Sequence, residues 1–253
     1  MAILSSEAII LSAMRYGETS KIVRLATRDY GVQSAIARGA LRPKSRFGAA
    51  LQVLSRGLAQ LIPARQSDLH QLAAFDLLHL PMDLGGTIER YTAASAMAEV
   101  VQRFAPADPH PELFEALRDA LLGLETAPAT SAGGLGLRGL WRLVAMLGFE
   151  PALDACVLDA TAIDPSGPIA FSAQEGGALC PDCARTHAAQ ALPAEDRADL
   201  ATLLDPDGRL PALDTRHDAA HRRLLARFIH HQMAEGAELR ALAIWEQRAW
   251  EQS

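Results

Sequence analysis

Long apolar runs are absent from this sequence, and no stretch approaches the roughly 20 residues of a membrane-spanning helix. The first residues lack a cationic segment followed by an apolar core, so we predict no secretory signal peptide. Cysteine is scarce, and its odd count of 3 argues against the disulfide framework of a secreted protein. These absences predict a cytoplasmic protein. With 253 residues, 49% of them hydrophobic, the chain has room for one large or two ordinary domains.

Motifs for catalysis are missing as well. The sequence has neither a phosphate-binding P-loop nor the glycine fingerprint of a dinucleotide-binding fold, and Ser20, Ser45 and Ser55 lack the context of a nucleophile elbow. His217 and His221 have a metal-compatible spacing, but the glutamate of a zinc protease does not accompany them, so we interpret them as part of a charged helix face. The sequence therefore predicts no catalytic residues and no enzyme.

Charge is distributed unevenly along the chain. The formal net charge is -6, yet residues 1–80 carry ten basic and five acidic side chains, a local charge of +5. The remaining residues therefore carry a net charge of -11. Such an asymmetry indicates a module that faces a polyanion beside an acidic module, and an arginine-rich surface without a ligand is the alternative.

A basic loop is predicted over residues 38–48, after two short apolar runs that meet at Gly31. Glycine and proline punctuate the loop, and almost no acid lies nearby. Fixed cations at this density suit the phosphates of nucleic acids, which dominate the affinity of their complexes. The basic residues of the loop are Arg38, Arg42, Lys44 and Arg46.

Aromatic residues make up only 5% of the chain. Three of them, Tyr16, Tyr30 and Phe47, lie close to the basic loop in sequence, where they can stack on bases or pack into a core. The sequence leaves both roles open for these three, whereas we assign Phe75 and Phe104 to the core.

Short apolar segments at regular spacing predict a small β-barrel in the first 80 residues. A five-stranded OB-type barrel fits the pattern, and an SH3-like barrel fits it too. The turn signals are residues 16–20 and 29–31. The predicted strands are 3–14, 21–27, 32–37, a fourth drawn from 50–54 and 58–62, and 69–78.

Beyond Pro81 the sequence becomes rich in alanine and helical in its periodicity. We predict an OB-fold domain at 1–80 and an α-helical domain at 81–253, which together form an α+β multidomain protein. A cysteine-containing insert at about 150–186 interrupts the helices. The predicted helices are 88–104, 111–124, 137–147, 195–204, 215–235 and 237–250.

The insert contains two paired positions with the spacing of a zinc site. One pair is Cys156 with Asp159, and the other is Cys180 with Cys183. The aspartate stands where a second cysteine completes the usual pattern, and His187 is an alternative fourth ligand. One structural zinc ion is therefore expected, and a loop that keeps its shape by packing alone is the other interpretation. A redox role is disfavoured because no βαβ pattern surrounds the cysteines.

Several stretches resemble the RecO family, the bacterial recombination mediators of DNA repair. The similarity covers nearly the whole chain up to about residue 235, and its N-terminal part is the most specific. It is carried by Ala8–Val23, Thr27–Val32, Ala37–Ala40 with Ser45–Gly48, Gly148–Cys156, and Phe171–Cys180.

This resemblance implies an N-terminal OB fold, a helical domain and a zinc-ribbon-like insert. It also implies binding of single- and double-stranded DNA, annealing of complementary strands, and cooperation with RecR in loading RecA onto DNA coated by single-strand-binding protein. By position, DNA-binding roles are implied for Arg15, Lys21, Arg24, Arg38, Arg42, Lys44 and Arg46. The helices are implied to accept the acidic, apolar C-terminal tail of single-strand-binding protein, with Arg118, Arg138 and Arg142 as candidates.

Two other functional classes are weighed against this one. In the first, the protein is an interaction adaptor whose acidic helical half binds partners while the barrel does not bind DNA strongly. In the second, it is a metal-dependent nuclease, but the aspartates of the insert are loop residues without a predicted cleft. Those aspartates are Asp154, Asp159, Asp164 and Asp182.

Overall fold

The computed structural model describes residues 3–234 and 236–248 of the chain. They fall into two compact units, one ending at Thr126 and the other beginning at Ala127. The predicted boundary between the OB-fold domain and the helical domain, near residue 80, is a different division of the chain and stays a prediction. Within the described residues, no helix combines the length and the apolar character that a membrane span requires.

The first unit begins with a closed five-stranded barrel in the order β1-β2-β3-β5-β4. Its pairings are antiparallel except between β3 and β5, which run parallel. This confirms the predicted OB-type barrel over the SH3-like alternative. The strands are β1 (Leu4–Tyr16), β2 (Ser20–Thr27), β3 (Gly31–Ala37), β4 (Arg56–Ile62) and β5 (Leu69–His79).

Alternation of apolar residues places one face of each strand in the barrel core, which includes Ile10, Val23, Leu25, Leu61 and Leu72. The prediction for the fourth strand was wrong over residues 50–54, because that segment does not pair as a strand. Instead it buries Ala50 and Leu51 in the same core from a loop, so their apolar character reflects burial and not strand pairing.

Two helices complete the first unit, α1 (Ile88–Phe104) and α2 (Pro111–Thr126), after a short 3₁₀ turn at Met82–Gly86. Thr87 caps α1 by accepting a hydrogen bond from the backbone N–H of Arg90 at 3.3 Å. The loop that follows α1 approaches the barrel so closely that a Cβ on Gly31 would lie 2.4 Å from the carbonyl oxygen of Ala107. Phe75 is buried as predicted, whereas Phe104 is only half-buried.

The second unit holds helices and a small sheet. Its helices are α3 (Ala132–Met146), α4 (Ala194–Leu204), α5 (Thr215–Ile229), which continues into a π-helical turn at His230–Ala234, and α6 (Arg240–Gln247). The sheet lies in the cysteine insert and has the order β7-β6-β8. Its strands are β6 (Ile169–Ser172), β7 (Gly177–Leu179) and β8 (Gln190–Leu192).

Three helix predictions require correction. Helix α3 begins five residues earlier than predicted, because packing of its buried face, which includes Ala132 and Gly136, outweighs the low helix propensity of its glycines. Helix α5 gives way to the π-helical turn instead of running to 235, a residue outside the described part. Helix α6 begins at Arg240 and ends at Gln247, and the predicted end at 250 lies outside the described residues.

Candidate nucleic-acid interface and metal centre

The predicted basic loop lies against the turn between β1 and β2. The backbone N–H of Leu41 donates a hydrogen bond of 2.8 Å to the carbonyl of Thr19, which fixes the loop to that turn. Phe47 inserts into the barrel core and is only 3% exposed. The loop is therefore fixed to the barrel at Leu41 and at Phe47. Of the two roles predicted for Phe47, the structure shows packing in the core.

Two of the predicted DNA-binding cations also stabilise this end of the barrel. The Lys21 ammonium donates to the carbonyl of Leu51 at 3.1 Å. The Arg46 guanidinium lies 4.9 Å from the centroid of the Phe47 ring and donates to the carbonyl of Leu72 at 3.4 Å. Their charges remain at this end of the barrel, but these side chains have a structural task as well.

The other cations of the loop, Arg38, Arg42 and Lys44, are exposed. Within the described part of the chain, none of the three forms a hydrogen bond or ion pair through its side chain. Consecutive turns shape the segment, since the N–H of Arg42 donates to the carbonyl of Gly39 at 3.1 Å and that of Ser45 donates to the carbonyl of Arg42 at 3.0 Å. The loop thus presents three unpaired positive charges to solvent.

The remaining two candidates, Arg15 and Arg24, differ in position. Arg15 is the register partner of Lys21 across the β1–β2 pair, and its Nε donates to the carbonyl of Gly17 at 3.2 Å. Arg24 is exposed three residues beyond Lys21 on β2, so the two side chains leave opposite faces of that strand. The seven predicted residues therefore do not share one face, because Arg24 lies on the same hairpin but leaves β2 on the face opposite to Lys21.

Tyr16 remains available for contact with a base. It ends β1 directly before the turn that touches the basic loop, and its side chain is 54% exposed. Tyr30, at the next turn, is half-buried. An exposed aromatic beside unpaired cations is the combination by which single-stranded nucleic acids are held without reading their sequence.

The insert brings both predicted ligand pairs together. One ligand atom from each of four residues lies within 4.8 Å of all the others: Cys156, Asp159, Cys180 and Cys183. Two local turns achieve this. The N–H of Ala160 donates to the carbonyl of Cys156 at 2.9 Å, and the N–H of Cys183 points at the Cys180 sulfur at 3.4 Å. In the described residues, this is the one group of three or more such side chains.

Hydrogen bonds are the largest cause of the pKa shifts of Asp159 and Cys183. The pKa of Asp159 lies well below its usual range, first because the backbone N–H of Thr161 donates to it at 2.9 Å, and then because the thiols of Cys156 and Cys180 do. The pKa of Cys183 is raised to about 12, mainly by its hydrogen bond with Cys180 and then by burial. Asp159 is thus a carboxylate that faces three thiols, a donor set that suits a divalent cation.

His187, the alternative ligand, does not join this group. Its side chain is exposed, and its Nδ1 lies 3.0 Å from Thr186 Oγ1 and 3.1 Å from the carbonyl oxygen of Cys183. The geometry therefore favours Asp159 as the fourth donor.

Comparison with known proteins identifies the family. A family model described as Recombination protein O N terminal matches residues 1–81, and one described as Recombination protein O C terminal matches residues 85–240. This chain belongs to the RecO family. Proteins named DNA repair protein RecO are similar to it, among them one from Anaeromyxobacter sp. (strain Fw109-5), which is 34% identical over 72% of this chain and 70% of its own length. Another, from Symbiobacterium thermophilum, is 33% identical over 72% of each chain.

The three arginines proposed for a protein tail lie in different surroundings. Arg118, on α2, borders an apolar cavity of about 80 Å³ in the first unit and pairs with Glu115 and with Asp119 at 2.8 Å. Its pKa is raised, chiefly by the hydrogen bond to Asp119. Arg138, on α3, donates to the carbonyl of Thr202 at 3.1 Å, and burial lowers its pKa. Arg142 is half-buried on the same helix.

The aspartates considered for a nuclease do not gather in one cleft, because Asp154 lines an open cavity with Glu150 and Asp205 while the other three do not line it. Asp182 pairs with Arg185 at 2.6 Å, and Asp164 accepts hydrogen bonds from Ser166. Only Asp159 belongs to the metal-suitable group found in residues 3–234 and 236–248. This arrangement gives the nuclease hypothesis no support.

The sequence analysis did not predict the burial of two polar residues in the second unit. Arg197, on α4, is 4% exposed and donates to the carbonyls of Leu153 at 2.7 Å and Gly167 at 3.1 Å, and also to that of Asp164. It thereby ties the insert to the helix. His221 is 1% exposed, so its assignment to a charged surface face was wrong. Both residues lie on the buried face of helices that also carry many exposed charges. Only the periodicity of the neighbouring apolar residues could have predicted that burial.

Proposed function

We propose that this chain is a DNA-binding recombination mediator. It binds single- and double-stranded DNA, anneals complementary strands, and acts with RecR in loading RecA onto DNA coated by single-strand-binding protein. Such work takes place on the chromosome, in the cytoplasm at the nucleoid. The observation that carries the proposal is the loop with three exposed and unpaired cations, Arg38, Arg42 and Lys44, at the end of an OB-type barrel.

The mechanism is electrostatic. Arg38, Arg42 and Lys44 neutralise phosphates and release counterions, which lowers the repulsion between two strands that meet at the barrel. Contacts to the backbone carry little sequence information, so binding is weakly sequence-specific. Tyr16 adds a stacking surface for a base. The remaining cations, Arg15, Lys21, Arg24 and Arg46, extend the positive potential around the loop.

A charge-reversal variant tests this proposal. Because these three exposed side chains form no hydrogen bond or ion pair within the described structure, we expect the substitutions Arg38→Glu, Arg42→Glu and Lys44→Glu together to leave the barrel folded. We expect at least about a hundredfold loss of affinity for single-stranded DNA and loss of strand annealing. Arg65→Glu with Arg103→Glu is the control, because both arginines are exposed in the same unit but lie outside the loop. Unchanged affinity in the triple variant would overturn the proposal.

A protein-binding role has its own supporting observation. The cavity beside Arg118 is lined by the apolar side chains of Ile9, Leu54, Pro81, Leu121 and Leu122, and also by Arg56, His79 and Glu125. An apolar residue next to a terminal carboxylate would fill the cavity and face the arginine, as the tail of single-strand-binding protein requires. Arg118→Ala should weaken binding of that tail peptide about tenfold while DNA binding is kept, and Arg103→Ala serves as the control.

The rate of strand annealing distinguishes the mediator from the adaptor alternative. An adaptor binds the tail peptide but leaves complementary strands to anneal at their spontaneous rate. The mediator accelerates annealing by itself, and the charge-reversal variant abolishes that acceleration while it keeps the affinity for the peptide. An unaccelerated rate with the unmodified protein would favour the adaptor.

For the insert, we propose one structural zinc ion held by Cys156, Asp159, Cys180 and Cys183. The donor set fits, since three sulfurs and one ionised carboxylate converge within 4.8 Å. When bound, the ion would cross-link the turn at Cys156–Asp159 to the turn that follows β7. Through the ion, these four residues would hold the insert together without a large core.

Metal analysis of the purified protein tests the zinc site directly. We expect one zinc per chain, and a cobalt-substituted form with the absorption of three thiolate ligands. Asp159→Cys should strengthen that absorption and the retention of the ion, whereas Asp159→Ala should weaken retention. Asp182→Ala, an exposed aspartate of the same insert, is the control. Protein that carries no metal and binds none on titration would contradict the proposal.

A further inference from the structure

A β-bulge in β1 turns a set of its side chains to the outside of the barrel. The pairing of β1 with β2 shifts between Ile10 and Ser12. Ile10 lies in the barrel core, whereas Met14 is 60% exposed, so alternate residues change from the core to the outer face at this bulge. Beyond it, the outer face of β1 consists of Ser12, Met14 and Tyr16.

Pairing with the neighbouring strands extends these positions into two rows across the sheet. Directly paired residues point to the same face, with their Cβ atoms about 4.5–5.5 Å apart. The apolar row consists of Met14, Ile22 and Ile36. The polar row beside it consists of Ser12, Arg24 and Ser34.

The charge of this face is positive. Arg24 is exposed in the polar row, and among the described residues its side chain forms no hydrogen bond or ion pair. Glu7 is the one acidic residue in the sequences of β1, β2 and β3, and Arg56 pairs with it at 2.6 Å. Glu18 belongs to the turn beyond the face and not to its strands. An anionic ligand on the two rows therefore meets no unpaired carboxylate of these strands.

The face is continuous with the basic loop. Tyr16 follows Met14 on the same side of β1 and pairs with Ser20, next to the turn to which the loop is hydrogen-bonded. Arg24 is four residues beyond Ser20 on β2, a distance of about 13 Å along the strand. A polymer bound at the loop can therefore reach Arg24 by crossing the apolar row.

We propose that the outer face of β1, β2 and β3 is a path for single-stranded DNA that begins at the basic loop and ends at Arg24. This inference rests on the proposed DNA-binding function and adds a second group of contacts to it. A single strand exposes both its anionic phosphates and the apolar faces of its bases, whereas a duplex encloses the bases. Arg24 neutralises a phosphate, and the apolar row carries the bases.

The aliphatic character of the row has a consequence for annealing. Aromatic rings are the side chains on which single-stranded bases stack strongly, and the row of Met14, Ile22 and Ile36 contains none. Bases on this row are therefore held weakly. They remain free to exchange the protein surface for a complementary strand.

The substitution Arg24→Gln tests the phosphate contact. Fluorescence anisotropy of a labelled oligothymidylate is measured across a salt series. We expect the slope of log affinity against log salt to decrease by about 0.7, the contribution of one phosphate contact on a single strand. Arg103→Gln removes another exposed arginine of the same unit, on α1, and should leave the slope unchanged.

The substitution Met14→Trp tests the base contact. An aromatic ring in the apolar row should tighten binding of oligothymidylate at least about fivefold. Oligothymidylate should also quench the emission of the introduced tryptophan, after the emission of the unmodified protein is subtracted, and a duplex should quench it much less. Met82→Trp is the control, because Met82 is 71% exposed in the same unit but lies outside these strands.

These measurements separate the path from DNA binding by the loop. The inference is overturned if the unmodified protein binds oligothymidylate, Arg24→Gln keeps its slope, and the tryptophan introduced by Met14→Trp is not quenched. DNA binding by the loop then stands, and the face is left to a protein partner. Equal quenching by single strand and duplex would also overturn the inference. No binding by the unmodified protein would overturn both the path and the proposed function.

Discussion

Arg197 carries the sharpest prediction about stability, because one buried guanidinium serves three backbone carbonyls. Replacement by methionine keeps much of the side-chain volume but leaves the carbonyls of Leu153, Asp164 and Gly167 without their donor. Each unsatisfied acceptor costs about 1–3 kcal/mol, and the cost is partly offset because no charge remains buried. We expect Arg197→Met to lower the free energy of unfolding by about 3 kcal/mol.

Urea denaturation followed by circular dichroism measures this loss. With a slope of about 2 kcal/mol per molar urea, the midpoint should fall by about 1.5 M. Arg185→Met is the matched control, since Arg185 forms an exposed pair with Asp182 in the same insert, and its loss should cost less than about 0.5 kcal/mol. A loss below about 1 kcal/mol for Arg197→Met would refute the reasoning that Arg197 holds the insert to α4.

Three further predictions follow from single contacts. Phe47→Ala should destabilise the barrel by about 3–5 kcal/mol in urea titrations and weaken DNA binding, because the basic loop loses its buried anchor. Gly31→Ala should destabilise it by about 2 kcal/mol or more, since the φ angle is +66° and the new Cβ would clash with Ala107; a smaller effect would contradict the close approach. Asp214→Ala should lower the melting temperature at neutral pH, because the Asp214 carboxylate caps α5 by accepting from the N–H of His217 at 2.8 Å. That hydrogen bond lowers the pKa of Asp214, so the stabilisation is present above the unfolded-state pKa and is lost as pH falls through the folded-state pKa; a difference between the two melting curves that persists in strong acid would contradict this origin.

The barrel was predictable from the sequence because alternating apolar residues and turn residues are local signals. Leu25 and Val23 alternate with exposed or half-exposed positions on β2, and Gly31 marks the next turn. The parallel pairing of β3 with β5, which closes the barrel, is not local and follows only from the packed structure. The segment at Ala50 and Leu51 was mistaken for a strand because burial in a loop produces the same apolar composition.

The candidate sites were predictable to different degrees. Paired spacing revealed Cys180 with Cys183, and Asp159 stood at the matching position of the other pair, but only the fold shows that His187 does not join them. A run of cations revealed the basic loop. The sequence could not show which of these cations also contact the fold, as Arg46 does, and which have unpaired side chains. That division depends on contacts with distant residues.

The central claim is that the barrel loop binds DNA through its unpaired cations. It is tested most directly by fluorescence anisotropy of single-stranded DNA across a salt series, with the unmodified protein and with Arg38→Gln, Arg42→Gln and Lys44→Gln combined. Each phosphate contact contributes about 0.7 to the slope of log affinity against log salt, so the variant should lose about 2 from that slope. An equal slope for both proteins, or binding that does not respond to salt, would contradict the account.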